Sequence, residues 1–283
     1  MSKQAPVVGF VGGGNMAAAL LKGLLEPGDD GGGVSPESIV VCEPLAARRR
    51  VLKRRFGVRV TADLAQLAEA AQTVVLAVKP QVMDEVLSGL SPLLGRGKLV
   101  ISIAAGVRLS RMEKALASSV RTIRVMPNTP CLLGSGMSVL CAGATARRKD
   151  LAVARAMFEA VGEVLVVEEE KLMDAVTGLS GSGPAYVYLF AEALARGGKA
   201  AGLDQETALH LACHTLAGAA RMLLESGQGP VELRKAVSSP GGTTLAGLAA
   251  LASGGFSQTV ASAVKAATGR SRELAVDTTG RRS

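Results

Sequence analysis

The sequence predicts an α/β protein in which a doubly wound parallel sheet is followed by an all-helical half. Three observations carry that expectation. Short β-branched runs alternate with helix-compatible stretches through the first half, and those runs are near-continuously apolar, as strands covered on both faces are. From about Glu168 the strand-like runs cease and long Ala/Leu-rich segments take over.

The expected strands are residues 7–11, 39–42, 74–78, 99–103 and 120–125, with a last one at 164–167. Their separations suit crossover helices, the first beginning near Asn15. The segment 27–36, rich in Gly and Asp, reads as a surface loop without chemistry of its own. In the second half, helices are expected at 185–201, 205–225 and 257–275. Charges are so scarce there that several of these helices are apolar nearly all round. A small exposed domain does not tolerate this, so a second chain is expected to cover them. The chain divides on this reading into residues 1–168 and 169–283, the tail from Asp277 fraying.

Composition removes several function classes. With 48% hydrophobic and 20% charged residues the chain buries a large core, which excludes wholesale disorder. The net charge of +8 invites a nucleic-acid partner, but five Phe, two Tyr and no Trp leave little for bases to stack on. Cys42, Cys131, Cys141 and Cys213 lie far apart without a CxxC pair, so neither a zinc knuckle nor a redox dithiol is indicated. Reduced thiols and an N-terminus without signal-peptide features point to the cytoplasm. The uncharged stretch between Lys235 and Lys265 is cut by Pro240, Gly241, Gly242, Gly247, Gly254 and Gly255 into pieces shorter than the roughly 20 residues that span a bilayer. It is expected to be buried in protein, not lipid.

The first strand ends in Gly12-Gly13-Gly14-Asn15-Met16-Ala17, a G-x-G-x-x-A turn opening a helix. Gly12 permits the tight turn, Gly14 lets backbone approach a pyrophosphate, and Ala17 allows close helix-to-strand packing. The helix N-terminus then faces the anion. In this position the motif makes the fold Rossmann-type and residues 1–168 a dinucleotide-binding domain. Cys42, Glu43 and Pro44 end the second strand, where such proteins distinguish a ribose hydroxyl from a 2′-phosphate. Glu43 favours NADH, whereas Arg48, Arg49, Arg50, Lys53, Arg54 and Arg55 on the next helix favour NADPH or simply form a solvated face.

Two more strand ends reach the same crevice, Ala77-Val78-Lys79-Pro80 and Ile103-Ala104-Ala105-Gly106. Their small residues make room for a flat ring, and Lys79 reads as a donor to cofactor hydroxyls rather than as a base. Asn128, in Met126-Pro127-Asn128-Thr129-Pro130, contacts nicotinamide or caps its turn. In the helical half, 179–186 and 237–244 are dense in glycine, which costs about 1 kcal/mol relative to Ala inside a helix, so both are expected as helix-start loops exposing backbone amides. In the second, Pro240-Gly241-Gly242-Thr243-Thr244 suits a carboxylate, unless Thr243 or Thr244 is an ordinary N-cap. His210 and His214 have the i, i+4 spacing of metal ligands, but no acid or third imidazole completes a set, so no metal is expected. They are read as core or interface residues, and hydrolase triads are set aside.

Together these residues resemble the pyrroline-5-carboxylate reductases. The resemblance runs through Gly9-Phe10-Val11-Gly12-Gly13-Gly14-Asn15-Met16-Ala17, Ala77-Val78-Lys79-Pro80 and Met126-Pro127-Asn128-Thr129-Pro130. It continues through residues 174–186 and Ser239-Pro240-Gly241-Gly242-Thr243-Thr244, all in the family's order over nearly the whole chain. It implies NAD(P)H-dependent reduction of Δ1-pyrroline-5-carboxylate to L-proline, the last step of proline synthesis. The helical domain would interlock with a partner subunit, the dimers assembling in many family members into a decamer. The substrate carboxylate would rest on amides around Gly242, Thr243 and Thr244 with help from Ser239, and Thr244 would hydrogen-bond the ring nitrogen. Family members commonly carry hydroxyl residues where this chain has Cys42 and Glu43.

Two other protein classes share part of this pattern. Another Rossmann imine reductase or a β-hydroxyacid dehydrogenase has a similar plan, but the latter needs a lysine that Pro184-Ala185-Tyr186-Val187-Tyr188-Leu189 lacks. A nucleotide-sensing or pyridoxal-phosphate-handling protein without turnover has no use for the Ser-Pro-Gly-Gly-Thr-Thr loop.

Overall fold

The computed structural model describes residues 7–26 and 33–280. The segment 27–36 anticipated as a loop therefore lies partly outside the described residues. Eight strands form one sheet: β1 Val8–Val11, β2 Ile39–Cys42, β3 Arg59–Thr61, β4 Thr73–Leu76, β5 Leu99–Ser102, β6 Arg121–Met126, β7 Gly136–Ala142 and β8 Gly162–Val167. They lie in the order β3-β2-β1-β4-β5-β6-β7-β8. The crossover helices are α1 Asn15–Leu25, α2 Ala46–Phe56, α3 Leu64–Ala70, α4 Met83–Leu90, α5 Leu109–Ala115 and α6 Arg148–Glu159.

Every residue of β2, β4 and β5 is buried, because helices cover both faces of the sheet. One face packs Phe10, Leu20, Ile101, Val125 and Phe158. The other packs Leu67, Leu76, Leu87, Val100 and Met112. Each such side chain removed from water contributes roughly 1.5–3 kcal/mol, so the alternation of apolar runs with amphipathic helices suffices to specify the layers.

The register positions the site. Val11 is level with Cys42 on one side and with Leu76 on the other, and Leu76 is level with Ser102. The next residues of these strands, Gly12, Glu43, Ala77 and Ile103, therefore emerge together at the carboxyl edge of the sheet, where doubly wound folds bind ligands.

The sheet is not wholly parallel. β7 runs antiparallel to β6, whereas the remaining pairings are parallel. The link between them, 127–135, is shorter than the roughly dozen residues a parallel crossover requires, so the chain must turn back. Neither β7 nor the short edge strand β3 stands out in the sequence, since Gly136 and Ser138 interrupt one and Arg59 opens the other.

The second half is helical: α7 Met173–Val176, a π-helical turn Thr177–Gly181, α8 Gly183–Ala200, α9 Gln205–Glu225, α10 Pro230–Ala236, α11 Thr243–Ser253 and α12 Phe256–Gly280. The glycine run at 179–186 is thus not a loop before a helix but a π turn leading into α8. A side chain on Gly181 would collide with the thioether of Met126, so glycine there serves close packing rather than amide exposure.

By proximity the chain separates into two compact units, 1–181 with 266–283, and 182–265. Within the second, the buried cluster among the described residues consists of Ala195, Ala208 and Ala212. Alanine lets α8 and α9 approach closely but buries little area. Leu224 is 85% exposed, and Leu211, Leu245, Leu251, Phe256 and Val260 are also exposed in the single chain. Among the described residues, most of the uncharged stretch expected to be buried is therefore exposed.

Candidate cofactor and substrate sites

At the carboxyl edge a cavity of about 690 Å³ opens between the strand ends. Gly12, Gly13, Gly14, Cys42, Glu43, Pro44, Ala77, Val78 and Lys79 line it, so the structure brings together residues 12 to 79 of three separate motifs. Gly12 adopts φ +94° and a Cβ there would stand 2.7 Å from the Ala77 carbonyl oxygen, which only glycine avoids. A Cβ on Gly14 would meet no protein atom within 4 Å, so its outer side faces open space. That is the cradle a pyrophosphate needs: backbone accessible, then the start of α1 with no side-chain cap on its first amides. Ala17 is fully buried behind the turn.

Asn15 points instead to a cleft of about 120 Å³ shared with Lys22, Arg48 and Arg55. Met16, Pro80, Ala104, Ala105 and Gly106 do not line the larger cavity. Ala104 is buried, and Gly106, at φ +73°, packs beside Leu274 of α12. Leu45, Ala62, Leu64, Val82, Glu85 and Val86 also line the cavity although the sequence analysis did not single them out. Val82, Glu85 and Val86 were findable, because spacings of three and four residues directly after Lys79-Pro80 place them on one helical face.

Glu43 is 8% exposed, and its carboxylate accepts from the Gly13 and Leu45 amides, each at 3.0 Å. Arg48 Nε donates to the Gly13 carbonyl at 2.7 Å, and Arg49 Nη1 to the carbonyls of Glu43 and Pro44 at 2.7 Å each. These two arginines brace the loop, while Arg50, Lys53, Arg54 and Arg55 are exposed. Burial, reinforced by Asp63 and Glu43, pushes the Cys42 thiol up. The exposed Lys79 ammonium makes no hydrogen bond or ion pair with the described residues. Asn128 is engaged at both ends of its amide: Nδ2 donates to Ser180 at 3.3 Å, and Oδ1 accepts from the Met137 amide at 2.9 Å. It holds the β6–β7 turn.

In the other unit, Gly242 occupies the N-cap of α11 with no side-chain cap, so neither Thr243 nor Thr244 is the N-cap residue. Gly241 is left-handed at φ +70°, and the Gly242 amide donates to the Ser239 carbonyl at 3.0 Å. The Ser239 hydroxyl lies so close to Gly242 that any side chain there would displace it. Ser239, Gly242, Thr243 and Thr244 thus form one tight turn that presents the first amides of an eleven-residue helix. The His210 and His214 rings lie 4.4 Å apart between centroids, tilted by 45°, and are exposed together with Cys213. Among the described residues no group of three or more His, Cys, Asp or Glu is placed to hold a metal. No helix among them is long and apolar enough to cross a membrane.

Residues 170–274 match the family model for pyrroline-5-carboxylate reductase dimerisation. Residues 7–106 match one described as NADP oxidoreductase, coenzyme F420-dependent. A pyrroline-5-carboxylate reductase from Synechocystis is 46% identical over 94% of this chain and 97% of its own length. The chain belongs to the pyrroline-5-carboxylate reductase family. The structure of the Coxiella burnetii reductase superposes with TM-score 0.89 at 39% identity, covering 96% of this chain and 99% of that one. The Plasmodium falciparum pyrroline carboxylate reductase, solved with NADP bound, gives TM-score 0.84 at 32% identity over 96% and 98%. The reductase family's dimerisation segment includes the helices whose apolar residues are exposed here, which supports self-association of this chain.

Proposed function

We propose how the family's reaction is carried out by this chain's residues. The reaction is the NAD(P)H-dependent reduction of Δ1-pyrroline-5-carboxylate to L-proline, the final step of proline biosynthesis. Residues 1–168 hold the dinucleotide, and residues 169–283 pair two chains and hold the substrate, a division supported by the matches at 7–106 and 170–274. The observation that carries the substrate assignment is the start of α11, where Gly242 leaves the first amides without a side-chain cap. A small carboxylate there gains hydrogen bonds and the favourable end of the helix dipole.

The pyrophosphate rests on Gly12, Gly13 and Gly14 and the start of α1, with Asn15, Met16 and Ala17 forming its first turn. Cys42, Glu43 and Pro44 face the adenosine ribose. Ala77, Val78, Lys79 and Pro80 border the middle of the dinucleotide, with Lys79 donating to its hydroxyls, and Ala104, Ala105 and Gly106 flank the nicotinamide end. When bound, the dinucleotide supplies a hydride to the imine carbon. The Gly242, Thr243 and Thr244 amides and the Ser239 hydroxyl orient the carboxylate. The Thr244 hydroxyl hydrogen-bonds the ring nitrogen, which is protonated to make the carbon a better acceptor. Catalysis is then positioning plus polarisation.

The working unit is an interlocked homodimer, able to assemble further into a decamer, in the cytoplasm and without nucleic-acid or membrane partners. The assay is loss of NAD(P)H absorbance with pyrroline-5-carboxylate, coupled to detection of proline. Cofactor binding with no proline formed would leave only the nucleotide-sensing alternative.

A further inference from the structure

We infer that this chain selects NADH over NADPH, and that Glu43 is the residue that discriminates. The inference rests on the reading that the Gly12–Gly14 cavity holds the dinucleotide. Glu43 follows the last residue of β2 directly, in a wall of that cavity, and its carboxylate is fixed there by the Gly13 and Leu45 amides. A carboxylate has about four acceptor positions, so two such bonds leave capacity for ribose hydroxyls to donate into. A 2′-phosphate offers no comparable donor. It carries about −1.5 to −2 charges near neutral pH and, as the dianion, acceptor oxygens only, so it meets a partly desolvated negative group that repels it.

Relief would have to come from the arginines of α2. The two nearest the glycine turn have guanidinium N–H groups engaged by backbone: Arg48 by the Gly13 carbonyl, Arg49 by those of Glu43 and Pro44. None of the α2 arginines lines the 690 Å³ cavity. Arg48 and Arg55 border the separate 120 Å³ cleft with Asn15 and Lys22. A 2′-phosphate reaching that cleft is the competing arrangement, and it predicts the opposite preference.

The test is direct titration of the full-length chain with each cofactor, following nicotinamide fluorescence and calorimetric heat, beside kcat/KM for both. Charge opposition of this kind is expected to give NADH at least about tenfold the affinity of NADPH, with the gap narrowing at high salt. Glu43→Ser and Glu43→Gln should raise NADPH affinity relative to NADH. Equal or tighter NADPH binding by the unsubstituted chain overturns the proposal even if both variants fail to fold. So does an Arg48→Ala variant that loses NADPH affinity about tenfold more than NADH affinity, since phosphate would then be held by that arginine. If neither cofactor binds, it is the cavity assignment that fails.

Discussion

With the pyrophosphate placed as proposed, a single hydrogen at residue 14 separates an open cradle from a blocked one. Because a Cβ on Gly14 touches no protein atom and its φ is −70°, Gly14→Val should fold normally and yet lose cofactor affinity by on the order of 100-fold. Circular dichroism beside a fluorescence titration checks both halves; retained affinity would remove the pyrophosphate from this turn. In the role proposed for Thr244, Thr244→Ala would delete one hydrogen bond at a charged nitrogen, worth about 1.5–3 kcal/mol, so kcat should fall roughly 10- to 100-fold with cofactor affinity unchanged. Unaltered turnover would end the assignment of Thr244. Burial raises the thiols of Cys42, Cys131 and Cys141. Unfolded thiols ionise near pH 8.5 whereas these stay protonated to higher pH, so above that value the unfolded state holds fewer protons and stability must fall. Urea midpoints that stay flat from pH 7 to about 9.5 would contradict this.

Between elements, the most demanding contact is charged. Arg124 on β6, 2% exposed at its side chain, bonds Glu170 at 2.9 Å and lies 3.7 Å from Asp174 on α7, which in turn accepts from Ser271 of α12 at 2.8 Å. Glu170 also accepts from the Leu109 amide at 2.7 Å, which ties the start of α5 to the same cluster. Removing one partner strands the others, so Arg124→Ala should destabilise the fold by about 3–5 kcal/mol. Denaturation at fixed protein concentration measures it, and a loss under about 1 kcal/mol would mean that water already compensates these carboxylates. None of this was legible in the sequence, where Arg124 and Ser271 lie some fifty and a hundred positions from the neighbouring pair Glu170 and Asp174. Strands β1, β2, β4 and β5 were legible, because a strand covered on both faces leaves a nearly unbroken apolar run; β6 and β8 were legible from their β-branched residues, although Arg121 and Arg124 interrupt one and none of the other is fully buried. The antiparallel β7 was not, because its direction follows from the length of the preceding link.

For the whole molecule, the apolar residues left exposed on 182–265 exceed what three buried alanines can stabilise. Sedimentation at micromolar concentration should therefore return no monomer. A monodisperse monomer with full activity would show that the helical half closes on itself, against the match to a dimerisation segment. The scarcity of charge on those helices announced a covering partner, since hydropathy reports how much area must leave water. It does not report which surface covers it.

What the amino-acid order determined alone is what depends on neighbours within a few residues: the periodicity of strands and helices, the glycine turn at 12–14, and the glycine-rich start of α11. Family motifs that keep such local order could be matched for the same reason. The tertiary structure decided what requires residues distant in the chain to meet. Glu43 turned out to be bonded to Gly13 thirty positions earlier, with Arg48 and Arg49 bracing the same loop, and Asn128 proved to hold a turn. Hydrogen-bond partners are fixed by the register of parallel strands, and register is set by packing on both faces at once, which no local stretch of sequence contains.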